Sequence, residues 1–236
     1  DRRQRQMCIR DRSQKNEPVR NLHVLARSGM EWDGIKRVIL RISADDYYKL
    51  YINGIFIAQG PAPSYPEHYY YNTLDITPFL HQGKNIVAVH LYYQGLINRV
   101  WNSGDGRFGV AAELIAADGM AELTAGDEMA ELTAGDGMAE LTAADEPAGA
   151  AFPDCGLRYQ ICHAYSGDVI GYDTQFLENF DSRKWDDGWK LPEYEDRDWP
   201  YMVQAEWADY RLTKQPVKML DIYELSLIHI SEPTRH

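Results

Sequence analysis

The chain has 236 residues, 44% of them hydrophobic and 12% aromatic, with 16 Tyr and 6 Trp, enough apolar surface for one sizeable core. Mean hydropathy is −0.49 and no apolar run approaches the length of a spanning helix, which excludes a transmembrane segment; three Cys are too few for a disulfide framework. The net charge of −12 argues against a general nucleic-acid binder, because phosphate contacts need clustered Lys and Arg. Nine of the acidic residues fall in residues 110–145, which hold no Lys or Arg, so the acidity belongs to one segment and says little about ligands.

In chain order, the two ends read as foreign. Residues 1–12 hold five Arg, and Arg2 to Asp11 resembles an in-frame translation of a sequencing adapter. Leu225 to Arg235 resembles the complement of the partner adapter in the same way. Residues 1–12 and 225–236 are therefore expected to be non-native tails, with the natural domain at 13–224.

From Ile35 onward the pattern is β. Val38, Leu40 and Ile42 alternate with Ile39, Arg41 and Ser43, a period of two. Tyr47 to Ile52 and Ile55 to Ala58 are two further strands separated by Asn53-Gly54, the strongest short hairpin signal because both residues tolerate positive φ. Gly60-Pro61-Ala62-Pro63-Ser64-Tyr65-Pro66 is a loop, since three Pro remove ladder donors. Leu74 to Leu80 carries Thr77-Pro78, a short helical turn with Pro at its first position. Ile86 to Tyr93, Phe108 to Ile115 and Leu157 to Tyr165 are three more strands. The sum predicts an all-β, jelly-roll-like β-sandwich.

A nine-residue repeat interrupts it. VAAELIAAD (110–118) is followed by GMAELTAGD, EMAELTAGD and GMAELTAAD (119–145). Nine steps rotate a helical stripe by roughly half a turn per copy, and an odd period swaps strand faces, so the repeat suits neither structure. In the frame of the calcium-binding nonapeptide roll, Ala139 stands where a ligand Asp belongs, and that reading loses its chemistry. Residues 119–145 are expected to be an acidic insertion in a connection between strands, and 168–224 a Trp-rich extension.

Three stretches carry a family resemblance in order and spacing. They are Ile42 to Tyr48 running into Tyr51-Ile52-Asn53-Gly54; Gly60-Pro61-Ala62-Pro63 with Tyr69 to Asn72 and Asp75-Ile76-Thr77; and Gly83-Lys84-Asn85. Together they resemble the N-terminal β-sandwich of bacterial α-L-rhamnosidases, glycoside hydrolase family 78. Trp185-Asp186-Asp187-Gly188-Trp189 and Tyr194 to Pro200 resemble the acidic-Trp segment that follows that sandwich. Family 2 β-galactosidase-like enzymes share the hairpin, D-(I/V)-T and G-x-N patterns and stand second; the paired tyrosines and the Gln59 to Pro63 loop favour the first. The resemblance implies a non-catalytic domain of a parent that hydrolyses terminal α-L-rhamnose by inversion. The parent's two carboxylates would sit in a later α/α barrel, and no residue here matches them. Partners would be rhamnose-containing glycans and that catalytic domain. A stand-alone carbohydrate-binding module and a packing domain are the alternatives. The compartment is left open, with the cytoplasm slightly favoured.

Candidate chemistry is sparse. Asp45-Asp46 cannot converge on one glycosidic bond, because neighbours on a strand point to opposite faces, and reads as a strand-end turn. Asp75 and Thr77 read as turn and cap groups. Asp186, Asp187, Glu193, Glu195, Asp196 and Asp198 read as a solvated loop pinned by Trp185, Trp189 and Trp199. The segment Tyr92 to Arg107 is polar and Gly-rich yet holds a Trp between two Arg. Sugar recognition pairs an aromatic face with charged groups for hydroxyls, so Trp101, Asp105 and Arg107 are the candidate carbohydrate contacts. His23, His68, His81, His90 and His163 have no metal-ligand spacing with Cys155 or Cys162, and G-x-S-x-G, P-loop and dinucleotide motifs are missing. No catalytic residue, metal or cofactor is assigned.

Overall fold

The Asn53-Gly54 pair makes the turn its chemistry dictates. β3 (Tyr47–Ile52) and β4 (Ile55–Gly60) pair antiparallel around it, with φ of 50° at Asn53 and 85° at Gly54. In this computed structural model, residues 20–65, 68–96, 108–117, 156–167, 169–170, 175–202 and 212–221 are described. The tails, the repeat at 119–145 and the candidates Trp101, Asp105 and Arg107 lie outside the described residues.

The remaining long strands are β1 (Leu22–Trp32), β2 (Arg37–Asp45), β5 (Tyr69–Asp75), β6 (Gly83–Tyr93), β7 (Gly109–Ala117) and β8 (Arg158–Ile161). They form two sheets with a sandwich core between them. One sheet runs β4-β3-β6-β1-β8, and the other runs β5-β2-β7 with β13 (Leu212–Lys214) parallel to β5 at its edge. The chain passes from one sheet to the other at nearly every connection, as a jelly-roll-like sandwich requires.

Alternation decides which side chains enter the core. Val24, Ala26 and Met30 of β1, Leu50 and Ile52 of β3, and Val87, Val89 and Leu91 of β6 meet Val38, Leu40 and Ile42 of β2 and Val110 and Leu114 of β7. A second buried cluster covers the opposite face of the five-stranded sheet. There Leu25, Ile86 and Ala88 pack against Cys162, Ala164, Trp189 and Trp199, so the segment after β8 forms a third layer. This layer is held by short elements: β9 (Tyr165–Ser166) with β12 (Asn179–Phe180), β10 (Val169–Ile170) with β11 (Gln175–Phe176), and 3₁₀ turns at Ser182–Lys184 and Asp187–Lys190.

Several expectations are refined. β1 lies eleven residues long between β6 and β8, although the pattern before Ile35 is not overtly β. β8 ends at Ile161 rather than running to Tyr165. Thr77–Phe79 is the expected short turn, but Thr77 does not cap it through its hydroxyl; that oxygen accepts from Val38 N at 2.8 Å, while Asp75 Oδ1 accepts from Thr77 N at 3.1 Å. Asp45-Asp46 is the expected strand end, where β2 gives way to β3, but its carboxylates face the interior. Both residues are buried at the corner between the sheets, Asp45 accepting from the Tyr69 hydroxyl at 3.0 Å and Asp46 from Gln94 N at 2.7 Å. Acids of the Trp-rich segment also carry structure. Asp186 accepts from Gly188 N at 2.9 Å, Asp187 lies 2.6 Å from Lys190 Nζ, and Asp196 pairs with the buried Arg27 at 3.1 Å.

Candidate functional site

Because successive residues of a strand face opposite sides, β1, β3 and β6 each present a second row of side chains outward. At one end of the five-stranded sheet those rows are not apolar: they hold His23, Tyr47 with Lys49, and His90 with Tyr92. Register places them side by side, His23 opposite Tyr92, Tyr47 opposite Tyr92 and Lys49 opposite His90. The third layer does not cover this end closely. It leaves a cavity of about 610 Å³, closed on the other sides by the Gly60 to Pro63 loop, by Tyr165 and Gln175 to Glu178, and by Gln215 with Val217 to Leu220. That size lies within the range of small-molecule pockets, about 300–1,000 Å³.

The floor is a fixed aromatic stack. The His23 ring lies 4.1 Å from Tyr165, nearly parallel at 9°, and 4.5 Å from Tyr92. Its Nδ1 is 3.1 Å from Nε2 of His90, so one imidazole donates and the other accepts. That bond needs the accepting ring to be neutral, so it cannot form with both rings protonated. Burial, followed by the Lys49 ammonium, lowers His23 to about 4. Burial, followed by His23 and Lys49, lowers His90 to about 3. Burial is also the largest cause that raises Tyr92 and Tyr165 to about 12, with Asp46 and Glu178 respectively adding to it, so both phenols keep their protons at neutral pH.

One wall is braced by an amide network. Tyr48 donates to Asn72 Oδ1 at 2.6 Å; Asn72 Nδ2 and the Ala62 N–H both donate to Gln215 Oε1, at 2.9 and 2.8 Å. Gly60 is required here because a Cβ would collide with Asn72 Oδ1. The Gly60-Pro61-Ala62-Pro63 loop is thereby tied to the strand that follows the Trp-rich layer.

Chemically, this is a place to hold a ligand. Among the described lining residues Glu178 is the one carboxylate, whereas inverting glycoside hydrolysis uses two facing each other about 6.5–9.5 Å apart. Among the described residues no group of three or more His, Cys, Asp or Glu could hold a metal ion. His23 and His90 entered the sequence reading only as non-ligands, and Lys49, Gln59, Tyr165 and Glu178 did not enter as site residues. The available signal was the polar and aromatic outward row on three strands, but residues so far apart in sequence meet only through sheet order.

Fold and site together define an all-β sandwich with a ligand-sized cavity on its outer face. Residues 33–142 match the family model of the alpha-L-rhamnosidase N-terminal domain. None of the curated proteins matches the chain. Among solved structures, a glycoside hydrolase family 78 rhamnosidase of Bacillus sp. GL1 aligns at TM-score 0.65 and 21% identity, over 88% of this chain and 19% of that one. The α-L-rhamnosidase of Dictyoglomus thermophilum aligns at TM-score 0.59 and 18% identity, over 89% and 22%. The Streptomyces avermitilis α-L-rhamnosidase, solved with L-rhamnose, aligns at TM-score 0.56 and 20% identity, over 84% and 17%. The chain thus spans about a fifth of the length of these enzymes.

Proposed function

We propose that the chain is the non-catalytic N-terminal β-sandwich of an α-L-rhamnosidase, whose parent enzyme removes terminal α-L-rhamnose from glycans or glycosides. The observation that carries this reading is the match of residues 33–142 to the alpha-L-rhamnosidase N-terminal domain. The shared fold supports it, as does the L-rhamnose bound to the Streptomyces avermitilis enzyme. In this reading the domain packs beside a catalytic domain that supplies both carboxylates. The purified chain should therefore release no nitrophenol from an aryl α-L-rhamnoside. Turnover that disappears when one of its acidic residues is neutralised would overturn the non-catalytic assignment.

A carbohydrate-binding module is the second reading, and the aromatic cavity is the observation that favours it. Trp101, Asp105 and Arg107 are the contacts proposed from sequence, and loss of sugar binding in Trp101→Ala with an unchanged melting temperature would support them.

A further inference from the structure

We propose that the cavity on the outer face of the five-stranded sheet is a saccharide site, with Tyr92, Tyr165 and His23 as its aromatic wall and Lys49, Gln59 and Glu178 as its hydroxyl-binding rim. The argument for a site comes first from rigidity. His23 stacks on Tyr165 at 4.1 Å, contacts Tyr92 at 4.5 Å and is hydrogen-bonded to His90, so the wall is held in place without a ligand. Preorganised rings cost little entropy on binding, and their faces suit the C–H surfaces and methyl group of a deoxy sugar.

The second observation is the state of the rim. Lys49 faces Gln59 across the β3–β4 ladder, and Glu178 closes the cavity from the third layer. Among the described residues none of these three side chains has a hydrogen bond or an ion pair. Elsewhere the polar side chains of this wall are committed to one another, as in the Tyr48–Asn72–Gln215 chain. An uncommitted ammonium, amide and carboxylate around an aromatic floor offer both donors and acceptors, as a ring of hydroxyls requires. The rim also carries both signs of charge, Lys49 and Lys218 against Glu178. A neutral polyhydroxylated ligand meets each of them favourably, whereas a purely anionic or cationic one is repelled by part of the rim.

The saccharide class rests on the rhamnosidase reading above; the location of the site does not. Titration of the full chain with methyl α-L-rhamnopyranoside, followed by NMR of the Tyr and His rings, tests both. The expected result is saturable shifts. Lys49→Met and Glu178→Gln should each weaken binding at least about fivefold with unchanged melting temperatures. Binding that survives both rim variants, or is lost only in Trp101→Ala, overturns the site. Absence of saturable binding of the rhamnoside up to about 50 mM overturns the proposal, and preference for D-glucuronate overturns the neutral-ligand assignment. None of these outcomes alters the turnover measurement, so failure of the cavity and failure of the non-catalytic reading stay separate.

Discussion

At the scale of single residues, two clusters show side chains whose role depends on distant partners. Asn85 of the Gly83-Lys84-Asn85 motif is fully buried. Its amide donates to His81 O at 2.7 Å and Gly83 O at 2.8 Å, and its Oδ1 accepts from His81 N at 3.0 Å and from Asn53 Nδ2 at 2.8 Å. Asn53 in turn accepts from Ile86 N at 2.9 Å, so the two turns that looked independent are one hydrogen-bonded corner. Asn85→Ala strands several of these buried groups and should cost about 2–3 kcal/mol, read from urea unfolding. The His23–His90 pair gives a pH dependence. Both rings hold their folded pKa values below the ordinary 6.5, so below that pH the unfolded chain binds more protons than the folded one. The stability they confer is intact above pH 6.5 and drains away as pH falls toward 4 and then 3. The melting temperature should fall between pH 7 and 5, at a cost of about 1 kcal/mol per pH unit for each of the two rings. A His23→Gln/His90→Gln double variant should show a flatter profile.

At the scale of elements, the layer after β8 is anchored to the sheet by a cation. Arg27, buried in the middle of β1, pairs with Asp196 at 3.1 Å, donates to Leu191 O at 3.1 Å and lies over the Tyr194 ring at 5.2 Å. Trp189, with none of its surface exposed, packs edge-on to Tyr51 at 5.8 Å and to Trp185 at 6.3 Å. Arg27→Met keeps the stem and removes the three polar contacts. We expect about 2 kcal/mol of destabilisation, a red shift of Trp emission and new protease cleavage between residues 191 and 198. The same anchor explains why β1 was hard to read from sequence. Its outward row is His23, Leu25, Arg27 and Gly29 and its inward row Val24, Ala26, Ser28 and Met30, so neither face is cleanly apolar or polar. A strand covered on both sides, with a buried ion pair on one of them, loses the alternation that marks a half-exposed strand.

At the scale of the whole molecule, the stretch that matches the family model is smaller than the folding unit. Residues 33–142 omit β1, which lies between β6 and β8, and omit β8 and the layer that covers Leu25, Ile86 and Ala88. A protein cut to residues 33–142 lacks an interior strand of the five-stranded sheet and exposes an unpaired edge on β6. It should be unfolded or aggregated by circular dichroism and sedimentation, whereas residues 20–221 should fold cooperatively. A stable, monomeric 33–142 fragment would show that the third layer is an addition rather than part of the core.

What the sequence determined by itself was local. Period-two alternation placed β2 and β6, Asn53-Gly54 placed the hairpin, three Pro kept residues 60–66 out of a central strand, and the ordered motifs indicated the rhamnosidase family. These signals come from residues within a few positions of one another, where backbone preference and strand alternation act directly. Only the tertiary structure decided what the motifs are for. Asp45 and Asp46 became buried corner groups, Asn53 and Asn85 became partners, and Asp196 became the counterion of Arg27. The cavity was decided in the same way. Its wall and rim come from β1, β3, β4, β6 and the layer after β8, and a burial environment that makes two histidines neutral and leaves a lysine uncommitted exists only once those elements are packed side by side.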